Sequence, residues 1–267
     1  MNAPLAQEPL YLSSPAAQLA ALRAMLARTT TGKSHGALPL GLGAIDSHLP
    51  WDGLALGCLH EIAGPAGIGF AVFLARRLTE HTGRALLWCR RRNSAATPYG
   101  PGLAAVGLPL ERVILIETDD DASLLWAMEE GLRCPGLAAV VGEAFPPDLT
   151  ASRRLQLAAE RHGVTALLLT REKGQAYEKG KIHENGTGGM PQDATVAACP
   201  PSAAVTRWRL SPVPLSAHSV SGIEARWRLE LLRCRAGHPG AWTVEWRHAT
   251  DRFALAAAAG DRPAAAA

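Results

Sequence analysis

Residues 58–71 read CLHEIAGPAGIGFA, an apolar strand pattern followed by a glycine-rich turn and the start of a helix. We predict a strand over Cys58–Ile62 and a helix over Phe70–Thr82, because the apolar residues of the second segment recur at helical spacing. A strand, a glycine turn and a helix N-terminus form the layout that cradles phosphate, since free backbone N–H groups and the helix dipole converge there. The stretch therefore predicts a phosphate-loop type of core.

This loop lacks the two side chains that nucleotide hydrolysis needs. A Walker A loop has the form GxxxxGK[ST], in which the Lys neutralises the β- and γ-phosphates and the hydroxyl binds Mg²⁺. Gly64 and Gly69 have that spacing, with Gly67 between them. Phe70 and Ala71, however, occupy the Lys and Ser/Thr positions. We therefore predict a vestigial phosphate loop with no bound cofactor, no metal and no catalytic residue.

Strand and helix patterns alternate on the C-terminal side of the loop. The strand patterns are continuous apolar runs, as in parallel strands that are buried on both faces. They span Ala85–Trp88, Val113–Ile116, Leu137–Val141 and Thr165–Thr170. The helix patterns between them span Gly102–Val106, Asp120–Arg133 and Thr150–His162. This order predicts an α/β fold with a mostly parallel central sheet flanked by helices.

The end of the chain has a different pattern, in which apolar and charged residues alternate. Trp208 and Leu210 alternate with Arg207 and Arg209, and similar alternation surrounds Trp227 and recurs over residues 242–247. Such a period of two predicts antiparallel strands with one covered face and one solvated, arginine-rich face. We therefore expect a C-terminal antiparallel extension of the sheet.

Glu143 is the candidate for the acidic residue of a Walker B site, the second motif that an ATPase of this type needs. Walker B sites place an Asp at the end of an apolar strand to hold the metal, and here Gly142 and Glu143 follow the run Leu137–Val141. Because no Lys or hydroxyl stands opposite it, we interpret Glu143 as an acid that begins a surface loop. We also find no GxSxG elbow, and we interpret Cys89, which ends a predicted buried strand, as structural.

The patterns divide the chain into a leading segment, a domain and a tail. Residues 1–37 contain a Ser-Pro start signal, a predicted helix over Ala16–Arg28 and a linker. Residues 38–253 form the domain, with a flexible loop rich in Gly, Lys, Glu and Pro over about 171–202. Residues 254–267 form an Ala-rich tail.

The composition excludes several classes of protein. The chain has 267 residues, a net charge of +3 and 48% hydrophobic residues, which is neither a disordered nor a histone-like composition. The five cysteines form no CxxC pair, so we expect reduced thiols and a cytoplasmic protein rather than a disulfide-rich secreted one. No apolar run approaches the roughly 18–20 residues that span a bilayer, and residues 1–9 lack the pattern of a signal peptide.

Three groups of basic residues are candidates for contact with nucleic acid or a partner protein. Arg90, Arg91 and Arg92 follow a predicted strand, at the edge where α/β sheets bind ligands. The alternative for this group is a solvated turn with arginine–carboxylate pairs.

The other two groups lie in the long loop and on the late strands. The loop group is Lys173, Lys179 and Lys181, and neighbouring glutamates cancel much of its charge. The strand group is Arg207, Arg209, Arg226, Arg228 and Arg247. Arginines opposite a tryptophan-bearing face suit phosphate or an acidic partner. The alternatives are a disordered loop and a plain solvated face.

Three short segments carry a resemblance to a known family. LPLGLGAID (38–46), DGLALG (52–57) and HEIAGP (60–65) resemble the entry to a RecA-type ATPase core, in which a TG-x-x-x-LD segment and a GGLP-x-G turn precede the phosphate loop. The absence of the Walker A Lys, together with the late segments RWRLELLRCR (226–235) and GAWTVEW (240–246), makes the resemblance specific to one group of RecA relatives. The sequence resembles the ImuA family, RecA-like and SulA-like accessory proteins of bacterial translesion synthesis, from about residue 38 to residue 253.

The resemblance implies a RecA-like fold and a non-catalytic function in SOS-induced mutagenic translesion DNA synthesis. The implied partners are an ImuB-like inactive Y-family polymerase, the RecA recombinase and, indirectly, an error-prone C-family polymerase. At a net charge of +3, direct DNA binding is expected to be weak and salt-sensitive. Two alternatives stay open, a SulA-like cell-division inhibitor and a RecA/RadA-like DNA-dependent ATPase, and Phe70 and Ala71 argue against the second.

Overall fold

A computed structural model describes residues 35–94, 99–170, 201–213, 225–247 and 252–255. The predicted helix over Ala16–Arg28 and the loop lysines Lys173, Lys179 and Lys181 lie outside these ranges.

Strands and helices alternate along the first described part of the chain, and strands alone follow. The strands are β1 (Ala37–Leu38), β2 (Leu54–Ala55), β3 (Leu59–Ala63), β4 (Ala85–Arg91), β5 (Val113–Thr118), β6 (Leu137–Ala144), β7 (Thr165–Thr170), β8 (Thr206–Pro212), β9 (Ala225–Cys234), β10 (Gly240–Arg247) and β11 (Arg252–Leu255). The helices are α1 (Gly43–Asp46), α2 (Gly67–Thr82), α3 (Gly100–Ala105), α4 (Asp121–Leu132) and α5 (Leu149–His162). A 3₁₀ turn, Leu110–Arg112, precedes β5.

Nine of the strands form one sheet in the order β11-β10-β9-β8-β3-β7-β6-β4-β5. The strands from β8 to β5 in this order are parallel, and β8, β9, β10 and β11 pair antiparallel. The glycine loop follows β3, which lies between β7 and β8. The predicted α/β fold with an antiparallel C-terminal extension is confirmed.

Helices cover the two faces of the parallel sheet and create two apolar cores. On one face, α2 contributes Phe70, Leu74 and Leu78 to a cluster that also contains Trp88 and Trp208. On the other face, α4 and α5 pack on the sheet; their contributions to the second cluster include Leu124, Met128, Leu132, Leu155 and Ala159. The first cluster extends to Leu229, Leu231 and Val244, so the antiparallel strands share a core with the parallel ones.

Local sequence explains where α4 and α5 begin. The Asp120 carboxylate accepts a hydrogen bond from the Ser123 N–H at 2.7 Å, and the Asp148 carboxylate accepts one from the Ala151 N–H at 2.7 Å. Each aspartate satisfies an amide of the first turn that has no partner within the helix.

Two strands are longer than their apolar runs. β4 continues from Trp88 to Arg91, and β6 continues from Val141 to Ala144. Both extensions contain buried charged residues, Arg90 and Glu143, to which other parts of the chain form hydrogen bonds or ion pairs. Within the described residues, no helix is long and apolar enough to span a membrane.

Candidate functional site

The glycine loop has the strand–turn–helix geometry that the sequence predicts. β3 ends at Ala63, Gly64 follows with φ +93°, and α2 begins at Gly67. A Cβ at Gly64 would lie 2.3 Å from the Leu210 carbonyl oxygen on β8. The close approach of β8 and the positive φ therefore both require glycine at this position.

Backbone carbonyls of the protein accept the hydrogen bonds of the loop. The Ala66 N–H donates to the Leu210 oxygen at 3.3 Å, the Gly67 N–H to the Gly64 oxygen at 3.0 Å and the Gly69 N–H to the Ala66 oxygen at 3.2 Å. In a phosphate loop, amides at a helix N-terminus point at the anion. Here three loop amides are bonded within the protein, one of them to the neighbouring strand.

The residue at the Walker A Lys position is a core residue. Phe70 is fully buried, and its ring centroid lies 5.5 Å from that of Trp208 and 6.1 Å from that of Phe73. Ala71, at the Ser/Thr position, is also fully buried. Position 70 therefore directs its side chain into the aromatic core beneath the extension.

Trp227 on β9 covers the other side of the loop. A Cβ at Gly69 would lie 3.7 Å from the Trp227 ring, and the ring is only partly exposed. Leu210 of β8 and Trp227 of β9 thus pack on the loop from the antiparallel extension. We call the loop with these two residues the closed loop.

Glu143 is part of a strand, and its interpretation as the start of a surface loop is wrong. It lies within β6, is buried, and accepts a hydrogen bond from the Trp88 indole N–H at 2.7 Å. The Ser94 hydroxyl lies 3.4 Å from its second carboxylate oxygen. The acid at the Walker B position therefore links β6 to β4 across the sheet.

The three arginines at and directly after the end of β4 face acids on β5, in the turn that follows it and at the start of α4. Arg90 is buried, donates to the Ser94 carbonyl at 3.1 Å and has a guanidinium nitrogen 3.5 Å from the Glu117 carboxylate. Arg91 lies 3.8 Å from Asp121, and Arg92 lies 3.1 Å from Asp119. The alternative of arginine–carboxylate pairs describes this geometry, and of the three arginines Arg92 is the most exposed.

The late arginines are interleaved with glutamates. Arg207 is buried and its Nε donates to Glu61 at 2.6 Å, so the expectation of a solvated position is wrong for this residue. Arg226 donates to the buried Glu245, and Arg209 lies opposite Glu230 in the β8–β9 register.

Arg228 is the late arginine with the most exposed side chain among those whose side chains the structure describes. That side chain is 58% exposed, and its Nε lies 3.1 Å from Glu230. The side chain of Arg247 lies outside the described part. Among the described residues, the positive charge of the arginine face is therefore largely neutralised by neighbouring glutamates.

A chain of buried hydrogen bonds joins β3 to β8, and no pattern in the sequence predicts it. The Trp208 indole N–H donates to the Thr206 hydroxyl at 2.7 Å, the hydroxyl lies 2.7 Å from His60 Nδ1, and His60 Nε2 lies 2.8 Å from the Ala55 carbonyl. Burial lowers the pKa of His60 to about 4, partly offset by its bond to Ala55. A neutral imidazole completes this chain with Nε2–H donating and Nδ1 accepting.

The three buried cysteines of the described residues suit packing rather than reaction. Burial raises the pKa values of Cys58 and Cys234 to about 11 and that of Cys89 to about 12. Thiols with such pKa values carry little thiolate at neutral pH. Among the described residues, no group of three or more His, Cys, Asp or Glu side chains is arranged to hold a metal ion.

Comparison with known proteins identifies the family. The chain is 35% identical to Protein ImuA of Caulobacter vibrioides strain NA1000 / CB15N over 243 residues, which cover 86% of this chain and 93% of the relative. Protein ImuA of strain ATCC 19089 / CIP 103742 / CB 15 matches with the same identity and coverage. The chain belongs to the ImuA family. No protein-family model matches it.

Solved structures support the fold of this ImuA-family chain. The RadB recombinase matches 82% of the chain and 100% of its own length with a TM-score of 0.53 at 16% identity, which shows a RecA-like fold. SulA from Pseudomonas aeruginosa matches 43% of the chain with a TM-score of 0.37, a score too low to bear on the fold or the function.

Proposed function

We propose that the chain is a non-catalytic accessory protein of SOS-induced mutagenic translesion DNA synthesis in the cytoplasm. It acts by docking on an ImuB-like polymerase-family partner, on a recombinase, or on both, and contacts the error-prone polymerase only through them. Membership of the ImuA family supports the biological setting. The closed loop supports the absence of nucleotide chemistry.

The observation that carries this proposal is the burial of Phe70 against Trp208. A Lys at this position would have to leave the core to reach a phosphate. The bonded amides of Ala66, Gly67 and Gly69 would have to open as well. Both changes work against the packing of the antiparallel extension, so the geometry favours a scaffold over an ATPase.

Isothermal titration with Mg²⁺-ATP tests the non-catalytic part. We expect no saturable heat of binding and no phosphate release with single-stranded DNA present. Saturable binding at micromolar ATP, or DNA-stimulated hydrolysis, would contradict the proposal and support the alternative of a RecA/RadA-like DNA-dependent ATPase.

Pull-down with an ImuB-like protein and with a recombinase tests the docking part. The surfaces proposed are residues 1–37, the loop from Arg171 and the Arg/Trp hairpin of β9 and β10. One variant lacks residues 1–37, and a second replaces residues 171–200 with a short Gly/Ser linker. The replacement ends before Ser202 because that residue is buried, its hydroxyl donates to Glu61 and its carbonyl accepts from Arg233 at 2.7 Å.

The hairpin is tested by Arg228→Glu, which reverses the charge of an exposed residue. The matched control is Arg153→Glu, at an exposed position of α5 that belongs to none of the proposed surfaces. Loss of capture with Arg228→Glu alone assigns the partner to the hairpin. Unchanged capture in the deletion, the replacement and this variant would remove all three proposed surfaces.

Weak nucleic-acid contact is also part of the proposal. Arg92 and Arg228 are its exposed candidates in the described part, while Arg90, Arg91, Arg207, Arg209 and Arg226 are more enclosed; Lys173, Lys179 and Lys181 lie outside the described residues. Fluorescence anisotropy with single-stranded DNA should show binding that disappears between low and physiological salt.

A further inference from the structure

β5 ends the nine-stranded sheet, and its outer edge is apolar on both faces. The strand pairs with β4 on one side only among the described residues. Ile114 and Leu115 are 49% and 46% exposed, although both are large apolar residues in the middle of a strand. Successive side chains point to opposite faces of a sheet, so the exposed apolar surface wraps around this edge.

The exposed apolar surface continues beyond the strand. Leu110, in the 3₁₀ turn, is 41% exposed, and Tyr99, before α3, is 72% exposed. Gly100, the residue after Tyr99, lies beside Leu110, because a Cβ at Gly100 would be 3.6 Å from the Leu110 side chain. A contiguous apolar patch on a protein surface marks an interaction site more often than scattered single residues do.

The backbone of β5 is available to another strand. The Arg92 N–H donates to the Thr118 oxygen at 2.8 Å, so Thr118 directs its backbone groups toward β4. Because these groups alternate in direction along a strand, Val113, Leu115 and Glu117 direct theirs outward. The sequence VILIET has no Pro and no Lys, and the pairing of β4 with β5 has no bulge. Pro, Lys and bulges are features by which edge strands avoid pairing with other strands, and β5 has none of the three.

We propose that β5 pairs antiparallel with β5 of a second copy of this chain, so that the two sheets become continuous across a two-fold axis. The occupant of this edge must offer a strand with apolar side chains on both faces. β5 is itself such a strand, and a two-fold axis lets each copy satisfy the other. This inference does not rest on the proposed function.

Side-chain matching selects one register. A two-fold axis normal to the sheet places outward-directed residues opposite each other, and centring it on Leu115 pairs Leu115 with Leu115 and Ile114 with Ile116 of the second copy. A shift of two residues in one direction sets Glu111 opposite Glu117, and the opposite shift sets Leu115 opposite Glu117. Like charges directly opposite each other destabilise cross-strand pairs, and apolar pairs stabilise them. The register centred on Leu115 avoids the Glu–Glu pair and gives Leu115, Ile114 and Ile116 apolar partners, with Val113 opposite Glu117 at the ends of the paired segment.

Analytical ultracentrifugation of the full chain over a micromolar concentration series tests the dimer. The wild type should show a reversible monomer–dimer equilibrium. Leu115→Lys, which places two ammonium groups opposite each other, should weaken it by about tenfold or more. The matched control is Leu157→Lys, because Leu157 is 63% exposed on α5, and this variant should dimerise as the wild type does. A monomer at every concentration, or equal dimerisation of both variants, would overturn the proposal.

Disulfide trapping tests the register independently of any loss of folding. In an antiparallel pair that exchanges both hydrogen bonds the Cα atoms are about 5.5 Å apart, which suits a disulfide. With Cys134, which is exposed, and Cys199 both replaced by Ser, mild oxidation should cross-link Leu115→Cys into dimers and leave Leu157→Cys monomeric. Equal cross-linking of the two variants, or a concentration-dependent dimer in which Leu115→Cys does not cross-link, would also overturn it.

Discussion

The closed loop and the β5 edge differ in whether their backbone groups have hydrogen-bond partners within the described part of the chain. At the closed loop, Leu210 accepts the Ala66 N–H and Trp227 packs over Gly69. At the β5 edge, within the described part of the chain, no strand pairs with the outer side, and Ile114 and Leu115 remain half exposed. In this RecA-like fold the chain therefore fills its own glycine loop and leaves an apolar sheet edge exposed among the described residues. This difference is the basis for proposing interaction at the edge and packing at the loop.

The same substitution at the two regions should give the largest contrast. Phe70→Lys places an ammonium group in the aromatic core and removes a fully buried ring, so we expect a loss of about 4 kcal/mol or more in the free energy of unfolding. Leu115→Lys, at the half-exposed edge, should change the free energy of unfolding of the monomer by less than about 0.5 kcal/mol, measured at concentrations too low for dimerisation. Urea denaturation followed by circular dichroism measures both.

Ile68→Lys is the local control for this contrast. Ile68 lies in the first turn of α2, two residues before Phe70, and is 41% exposed. We expect it to behave like the edge variant, with a change below about 1 kcal/mol. If Phe70→Lys were as stable as Ile68→Lys, the side chain at position 70 would be free to leave the core, and the packing of the closed loop would not exclude a Lys there.

The pH dependence of stability should report the hydrogen-bond chain beside the closed loop. The pKa of His60 is about 4 in the folded protein, below its ordinary value of 6.5, so between these values the unfolded chain binds the proton that the folded one excludes. The stabilisation is complete above pH 6.5 and falls as the pH is lowered toward 4, by on the order of 3 kcal/mol.

Unfolding measured from pH 7.5 to 4.5 tests this dependence, and carboxylates that titrate in the same range are removed by comparison with His60→Gln. The wild type should lose more stability than the variant on acidification. Parallel curves for the two proteins would mean that His60 accepts a proton without disturbing Thr206 and Trp208.

Two glycine substitutions separate backbone strain from contact with β8. Gly64 and Gly41 both have positive φ, +93° and +76°, but a Cβ at Gly64 meets the Leu210 oxygen whereas one at Gly41 meets no atom within 4 Å. Gly41→Ala should cost about 1 kcal/mol from conformation alone. Gly64→Ala should cost about 2 kcal/mol more, because the loop must separate from β8. Equal thermal shifts for the two variants would show that β8 yields without cost.

The apolar runs predicted the sheet well wherever burial and hydrophobicity coincide. β7 has the predicted bounds, Thr165–Thr170, because apolar residues fill the strand between two threonines that end it. The apolar run also predicts the start of β5 at Val113, although burial does not follow hydrophobicity there, since Ile114 and Leu115 are half exposed. The missing Lys at position 70 was likewise evident, although its reason, the contact with Trp208, needed the fold.

The predictions failed where a distant residue makes a charge compatible with burial. The run before Glu143 seemed to end at Val141, yet β6 continues because Trp88, 55 residues away, donates to the carboxylate. Arg207 looked solvated because its partner Glu61 is 146 residues away in sequence. Alternation shows which face of a strand a residue occupies, but it does not show whether an oppositely charged side chain from a distant part of the sequence lies on that face. The short strand β11 lies beyond the predicted strands for a simpler reason, since its four residues are too few to show a period.

The parallel pairing of β8 with β3 also governs the order in which the chain can fold as it is synthesised. β3 is complete by residue 63, but its neighbour begins only at residue 206, and the strands that pack over the loop follow it. Until that last quarter leaves the ribosome, the apolar side of α2 has no Trp208 to cover it and the Ala66 N–H has no Leu210 oxygen to which it can donate. Contacts so distant in sequence form slowly and leave apolar surface exposed meanwhile. A nascent chain truncated before β8 should therefore be a client of chaperones, and the newly made protein acquires its sealed loop only after its final strands arrive.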